Sequence, residues 1–320
     1  MKLSMKLCAA LLTAMGAFPA LASCGSAFCT LMSDRYLQGS GDPHAGWSAD
    51  LRVERVTQDR LRSGTTNIAA SEVTGEEAIE RHTRNTNVVT TLGYGFDESW
   101  SMSVRLPVVK RDHAHDLIDE TTGLADTPER WNFTRLGDVQ VLGRRQFAVD
   151  GGSTSFALFG GLKLPTGSIA VTNDDGSRAE RALQPGTGTI DIVLGAAGRR
   201  ALGLTDALIG QISVSAALNS REDFKPGARL EISGAWSHAY SHVVGSVLQL
   251  NLRQRAHDNG AQSEPDNSGS TAIDLSPGLT VAVGTGSTLY AYLQLPLYQK
   301  VRGIQLVQRQ SLALGWTADF

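Results

Sequence analysis

The chain predicts an all-β protein: a transmembrane antiparallel up-and-down β-barrel of about 12 strands, with long extracellular loops and short periplasmic turns. Three observations carry this. Strand-length segments alternate apolar and polar residues, long and short connections alternate along the chain, and the last segment alternates up to an aromatic end at Phe320.

Residues 1–22 read as a secretory signal peptide. Lys2 and Lys6 precede an apolar stretch from Leu7 to Phe18, and Ala20-Leu21-Ala22 offers a small-x-small cleavage site before Ser23. The stretch is shorter than the ~20 residues of a spanning helix, and no later run approaches that length. Residues 23–46 follow. With Cys8 removed they hold the cysteines Cys24 and Cys29, a close pair that suits a small disulfide loop in an exported protein. Leu21-Ala22-Ser23-Cys24 also fits lipoprotein processing, while a metal site would need ligands beyond His44. This segment is long enough to enter the barrel as a partial plug or to hang in the periplasm.

From residue 47 to 320 the chain reads as barrel. Strands are expected near 48–58, 85–96, 99–111, 136–149, 153–165, 187–200, 206–218, 227–239, 242–255, 271–283, 287–300 and 306–320. Met102, Val104, Leu106 and Val108 oppose Ser103 and Arg105. Leu230, Ile232 and Trp236 oppose Arg229, Glu231 and Ser233, and Leu248, Leu250 and Leu252 oppose Gln249, Asn251 and Arg253. Leu289, Ala291, Leu293, Leu295 and Leu297 oppose Tyr290, Tyr292, Gln294 and Tyr298. A period of two gives each set one face.

A soluble sandwich alternates too, but it has no reason to sort its connections by length. Here Asp97-Glu98, Gly151-Gly152, Ser241 and Thr285-Gly286 are short turns. Asp59 to Arg84, Asp112 to Arg135, Thr166 to Gly186 and His257 to Ser270 are long polar loops. Twelve strands ending in the periplasm put the long loops outside, where the first would screen access. The address is the bacterial outer membrane. The expected partners are its lipids, a small-molecule solute, and the barrel-assembly machinery, which reads a terminal strand ending in an aromatic such as Phe320.

Removing Lys2 and Lys6 takes the basic residues from 29 to 27 against 32 acids, a net charge of −5. No basic patch of the kind nucleic acid requires is present. The lumen set combines Arg105, Lys163, Asp138, Asp191, Arg229, Glu231, Arg253 and Asp274 with Tyr290 and Tyr292. These residues suit a solute-selecting pathway or an ion-paired, filled interior. The tyrosines serve either as an aromatic ladder for a solute or as packing.

His113 and His115 stand where a strand is expected to run out into a loop. At i, i+2 they share a side, with Asp112 and Asp116 adjacent, a pattern that can hold zinc or copper or be a solvated loop edge. No cofactor and no catalytic residues are expected. Ser237-His238 and Ser241-His242 fall at a periplasmic turn, the wrong face for a barrel phospholipase. No Gly-x-Ser-x-Gly elbow, phosphate loop or dinucleotide fingerprint is present.

Gly161-Leu162-Lys163-Leu164-Pro165-Thr166-Gly167 ends one strand, and Gln184-Pro185-Gly186-Thr187-Gly188-Thr189-Ile190-Asp191 begins the next. This pairing resembles the outer-membrane barrels named after the meta-pathway of phenol degradation, a transporter-like family. The resemblance is firm over about thirty residues and implies an outer-membrane barrel passing small solutes, aromatic ones among them. Its prolines and glycines mark geometry, letting strands leave the ladder. Two readings follow: a passive channel or uptake component, or a closed structural or metal-handling surface barrel without a through-pore.

Overall fold

The structure, a computed structural model, describes Leu31 and residues 45–320 apart from 75, 77, 120, 121, 123 and 124. The signal peptide, the Cys24/Cys29 loop and the alternative lipidation of Cys24 lie outside the described residues.

Twelve strands form the wall: β1 Gly46–Ser63, β2 Ala78–Gly95, β3 Trp100–Ile118, then β4 in two arms, Ala125–Leu136 and Val139–Val149. They continue with β5 Thr154–Leu164, β6 Asp191–Ala201, β7 Asp206–Ala217, β8 Arg229–Ala239, β9 Val244–Arg255, β10 Ser270–Ala282, β11 Ser287–Val301 and β12 Ile304–Asp319. Sequential neighbours pair antiparallel, and β12 returns to β1 from Ser48↔Asp319 to Ser63↔Ile304. The sheet therefore closes on itself, which removes both edges and satisfies the backbone within lipid.

Period two then sorts the side chains. Leu51, Val53, Leu92, Met102, Leu158, Leu194, Ile212, Leu248, Leu250, Leu312 and Leu314 face outward and are exposed. A soluble monomer does not carry so continuous an apolar band. At the periplasmic end aromatics ring the barrel: Trp47 packs edge-on to Tyr94 at 5.0 Å between ring centres, and Tyr94 to Phe96 at 5.3 Å. Such a girdle belongs at a membrane interface. The protein is an outer-membrane β-barrel.

Three local features depart from the sequence reading. First, β1, β2 and β3 run beyond their expected ends at 58, 85 and 111, and the upper arm of β4 occupies much of the expected loop 112–135. These extensions rise above the lipid, where the outer face carries Arg81, Arg84 and Arg130 and the apolar half of the alternation is gone. Second, β11 has a bulge: Ile273 pairs with Tyr298 but Asp274 with Pro296. The extra residue reverses the faces, so Tyr298 points outward, 41% exposed, instead of joining Tyr290 and Tyr292.

Third, β4 breaks at Gly137-Asp138. Its lower arm pairs with β3 and β5, whereas the upper arm pairs with β3 alone, from Val108↔Leu136 to Ile118↔Ala125. β5 ends at Leu164 opposite Val139, so the ladder on that side stops at the break. The wall has a seam there, and residues 165–190 pass beside it.

Candidate functional site

In the lumen, Asp50, Arg52 and Glu54 of β1 meet residues from across the barrel. Tyr290 donates to Asp50 Oδ2 at 2.7 Å, Arg52 Nε pairs with Glu54 Oε1 at 2.8 Å, and Asn87 donates to Glu54 Oε2 at 3.5 Å. Arg105 feels the charges of Arg52, Glu54, Glu231 and Asp50. Glu231 and Arg253 are direct cross-strand partners on β8 and β9. Asp274 accepts from Gln294 at 3.1 Å and lies in the field of Arg253. Arg229 sits near Arg255, Glu231, Asp258 and Asp191. Arg105, Arg229, Glu231, Arg253 and Asp274 thus lie on the inner side of the wall, each beside opposite charge.

Asp50, Arg52 and Glu54 add to the predicted inner set, on the alternation that the outward Leu51 and Val53 mark in the sequence. Leu31, from the segment before β1, packs against the lumen cluster of Ile209, Ala235, Val247, Tyr290, Tyr292 and Ala313.

The two tyrosines have a definite packing role. Tyr292 pairs across strands with Gly278, and Tyr290 with Gly315. A methyl group on either glycine would overlap the facing ring. Each ring lies flat over a glycine and seals the bare backbone behind it.

Lys163 and Asp191 belong to a latch at the seam. Asp138 accepts from Gly167 N at 3.1 Å, Thr187 N at 2.9 Å, Thr187 Oγ1 at 2.8 Å and Lys163 Nζ at 2.8 Å. Lys163 also pairs with Asp191 at 3.2 Å, and Thr189 donates to Asp191 Oδ1 at 2.7 Å. Gly167 and Gly186 touch backbone to backbone, with no room for a Cβ on either. The KLPTG and PGTG segments therefore clamp both ends of loop 165–190 to the broken wall.

Beyond the latch, the loop turns inward. Val171, Ala179 and Leu183 pack with Leu61, Ile79, Trp131, Phe133 and Leu306 of the wall extensions. Trp131 Nε1 donates to Ser177 O at 2.9 Å, and Arg111 donates to Leu183 O. Gln184 braces the loop internally, accepting from Val171 N at 2.9 Å and donating to Ala179 O at 2.7 Å. The extensions thus enclose an outer chamber filled by a packed apolar core and roofed by loop 165–190. The sequence reading assigned the screening role to 59–84, whose ends are wall.

His113 and His115 line this chamber and are not at a solvated loop edge. Both lie within β3, fully buried at 0% exposure. Asp112 and Asp116, adjacent in sequence, have the opposite parity and point outward. Asp116 pairs with Arg81, and Asp112 with Arg130 at 2.8 Å. The carboxylates that do meet the histidines come from elsewhere: Glu129 Oε2 lies 3.0 Å from His115 Nε2, Glu80 Oε2 3.6 Å from His113 Nδ1, and Glu180 Oε1 3.8 Å from His115 Nδ1. Thr83 Oγ1 bonds His113 Nδ1 at 2.8 Å. Burial, with the charge of Glu129 beside it, pushes the neighbouring loop carboxyl of Glu180 upward, and burial with the charges of Glu180, Glu80 and Glu76 pushes Glu264 upward.

At the periplasmic rim His238 Nδ1 lies 2.9 Å from Asp206 Oδ1, and the Ser241 hydroxyl accepts from Val243 N and Val244 N in its turn. Ser237 and His238, being consecutive strand residues, face opposite sides.

The closed wall, apolar band and polar interior define an outer-membrane β-barrel. No protein-family model matches the chain, and no curated protein sequence matches it. Among solved structures, an outer membrane channel from Pseudomonas putida F1 is similar at 11% identity and a TM-score of 0.64, covering 91% of this chain and all of that one. The β domain of the Bordetella autotransporter BrkA is 13% identical with a TM-score of 0.47, over 86% of this chain and 100% of the other. The toluene transporter TodX of Pseudomonas putida is 8% identical at 0.45, over 95% and 98%. The first likeness establishes the shared barrel fold, in agreement with the outer-membrane barrel implied by the KLPTG and PGTG resemblance.

Proposed function

We propose that the protein is a gated channel for small apolar or aromatic solutes, with loop 165–190 as the gate. The observation that carries this reading is the latch. One carboxylate, Asp138, holds both ends of an inward-folded loop where the ladder between β4 and β5 stops. Release of that carboxylate would free the loop that roofs the packed apolar core of Trp131 and Phe133, and would bare the seam at the outer edge of the lipid. A solute carried in the outer leaflet would then meet apolar side chains first and the tyrosines and charges of the lumen second.

Arg105, Arg229, Arg253 and Lys163 are the residues we assign to ion preference. Leu31 packs against Tyr290 and Tyr292 inside the barrel, which supports a partial plug at that position. The strand ending at Phe320 is the segment offered to the assembly machinery. The test is uptake of a fluorescent aromatic probe into vesicles carrying the refolded protein. Asp138→Ala should take up probe faster than wild type at equal insertion; equal rates would sink the gate.

A further inference from the structure

We propose that the outer chamber holds one divalent cation of the zinc class, bound by Glu80, His113 and His115. Ligand atoms from these three side chains lie within 4.8 Å of one another, and all three residues are buried. They stand on two adjacent wall strands, β2 and β3, so the backbone fixes their spacing: Glu80 is the direct partner of His115. Tetrahedral zinc places its ligands about 3.4 Å apart, from bonds of ~2.1 Å, a difference that small side-chain rotations close.

The tautomer of His115 points the same way. Its Nε2 faces the Glu129 carboxylate at 3.0 Å and donates its proton there. That leaves a lone pair on Nδ1, which is buried, makes no hydrogen bond among the described residues, and is aimed toward Glu180 Oε1 at 3.8 Å. A carboxylate that orients a histidine's far nitrogen is the usual outer partner of a metal-bound imidazole. Trp131 packs against both rings, 5.7 Å from His113 and 5.0 Å from His115, and restricts their rotation.

Charge supplies the remaining argument. Three carboxylates, Glu129, Glu80 and Glu180, come within 3.0, 3.6 and 3.8 Å of the two imidazoles. Gathering carboxylates away from water is costly unless a cation joins them. Two imidazoles and a carboxylate select zinc or copper over calcium or magnesium, which prefer all-oxygen sites. The fourth position faces Glu180, which belongs to the roof loop. This site does not depend on the gating reading.

The experiment uses the mature, untagged protein, refolded in detergent and stripped with chelator. Zinc is titrated by calorimetry, and cobalt(II) by its visible absorbance. One zinc per chain is expected, with a tetrahedral cobalt spectrum. His115→Ala should weaken binding at least ~100-fold and Glu129→Gln by ~10- to 100-fold, while His257→Ala changes nothing. Heat-modifiable gel mobility establishes that each variant is folded; if His115→Ala does not fold, Glu80→Gln is read in its place with the same expected loss. Absence of saturable zinc binding by the wild type, or unchanged binding by a folded ligand variant, overturns the site.

Discussion

At the scale of single residues, cross-strand packing inside the lumen decides more than hydrophobicity. Tyr290 and Tyr292 are held flat by Gly315 and Gly278, so a side chain at either glycine must displace a ring from a filled interior. Gly315→Val is expected to cost about 1–3 kcal/mol, the range for overpacking a tight core, measured by urea unfolding in lipid vesicles. A second residue acts in water. Asp97 accepts from Ser99 N at 2.7 Å, Ser99 Oγ at 2.8 Å and Trp100 N at 2.8 Å, and these bonds hold its carboxyl below the usual aspartate value. The turn's contribution is therefore complete above about pH 4, the ordinary aspartate value, and fades as pH falls through the lower folded value. Titration by NMR of the folded barrel should give an Asp97 value below that of Asp97 in a peptide of the turn; equal values would contradict it. The sequence reading set Asp112 and Asp116 beside the histidines because it ended the strand before them; with the strand continuing through Ile118, consecutive residues face apart and both aspartates point outward. Glu80 and Glu129 were not legible, because only strand pairing brings them to the histidines.

At the scale of elements, the break in β4 organises the outer half. Lys163, Asp138 and Asp191 form one latch, so Asp138→Ala removes several charge-assisted bonds at once, each of the kind worth about 1.5–3 kcal/mol. Limited proteolysis of intact vesicles should then cut between 165 and 190 in the variant and spare the wild type. A loop equally resistant in both would mean that the apolar core of Trp131, Phe133 and Leu183 holds it alone. The twelve strands were legible wherever one face meets lipid. The upward extensions of β1 to β3 and the upper arm of β4 were not. Above the membrane both faces carry polar groups, as in Glu80-Arg81-His82 and Arg111-Asp112-His113, and the period of two loses its contrast. The bulge at Pro296-Leu297 was not legible for another reason: it is an event in pairing, and the run of Leu293, Leu295 and Leu297 passes through it without a mark.

At the scale of the whole molecule, a closed wall, an apolar exterior and a charged interior make a barrel that spans lipid, and the latched loop is the element we propose as its gate. Reversing charge at Arg105 and Arg253 together should shift ion preference toward cations in any current that passes; an unchanged reversal potential would remove those arginines from the selectivity assignment. Gating itself is tested most directly by single-channel conductance of the refolded mature protein in planar bilayers, wild type beside Asp138→Ala. The wild type should give small, infrequent steps and the variant larger, longer ones at the same insertion level. Identical traces from both, whether silent or open, would contradict the gate.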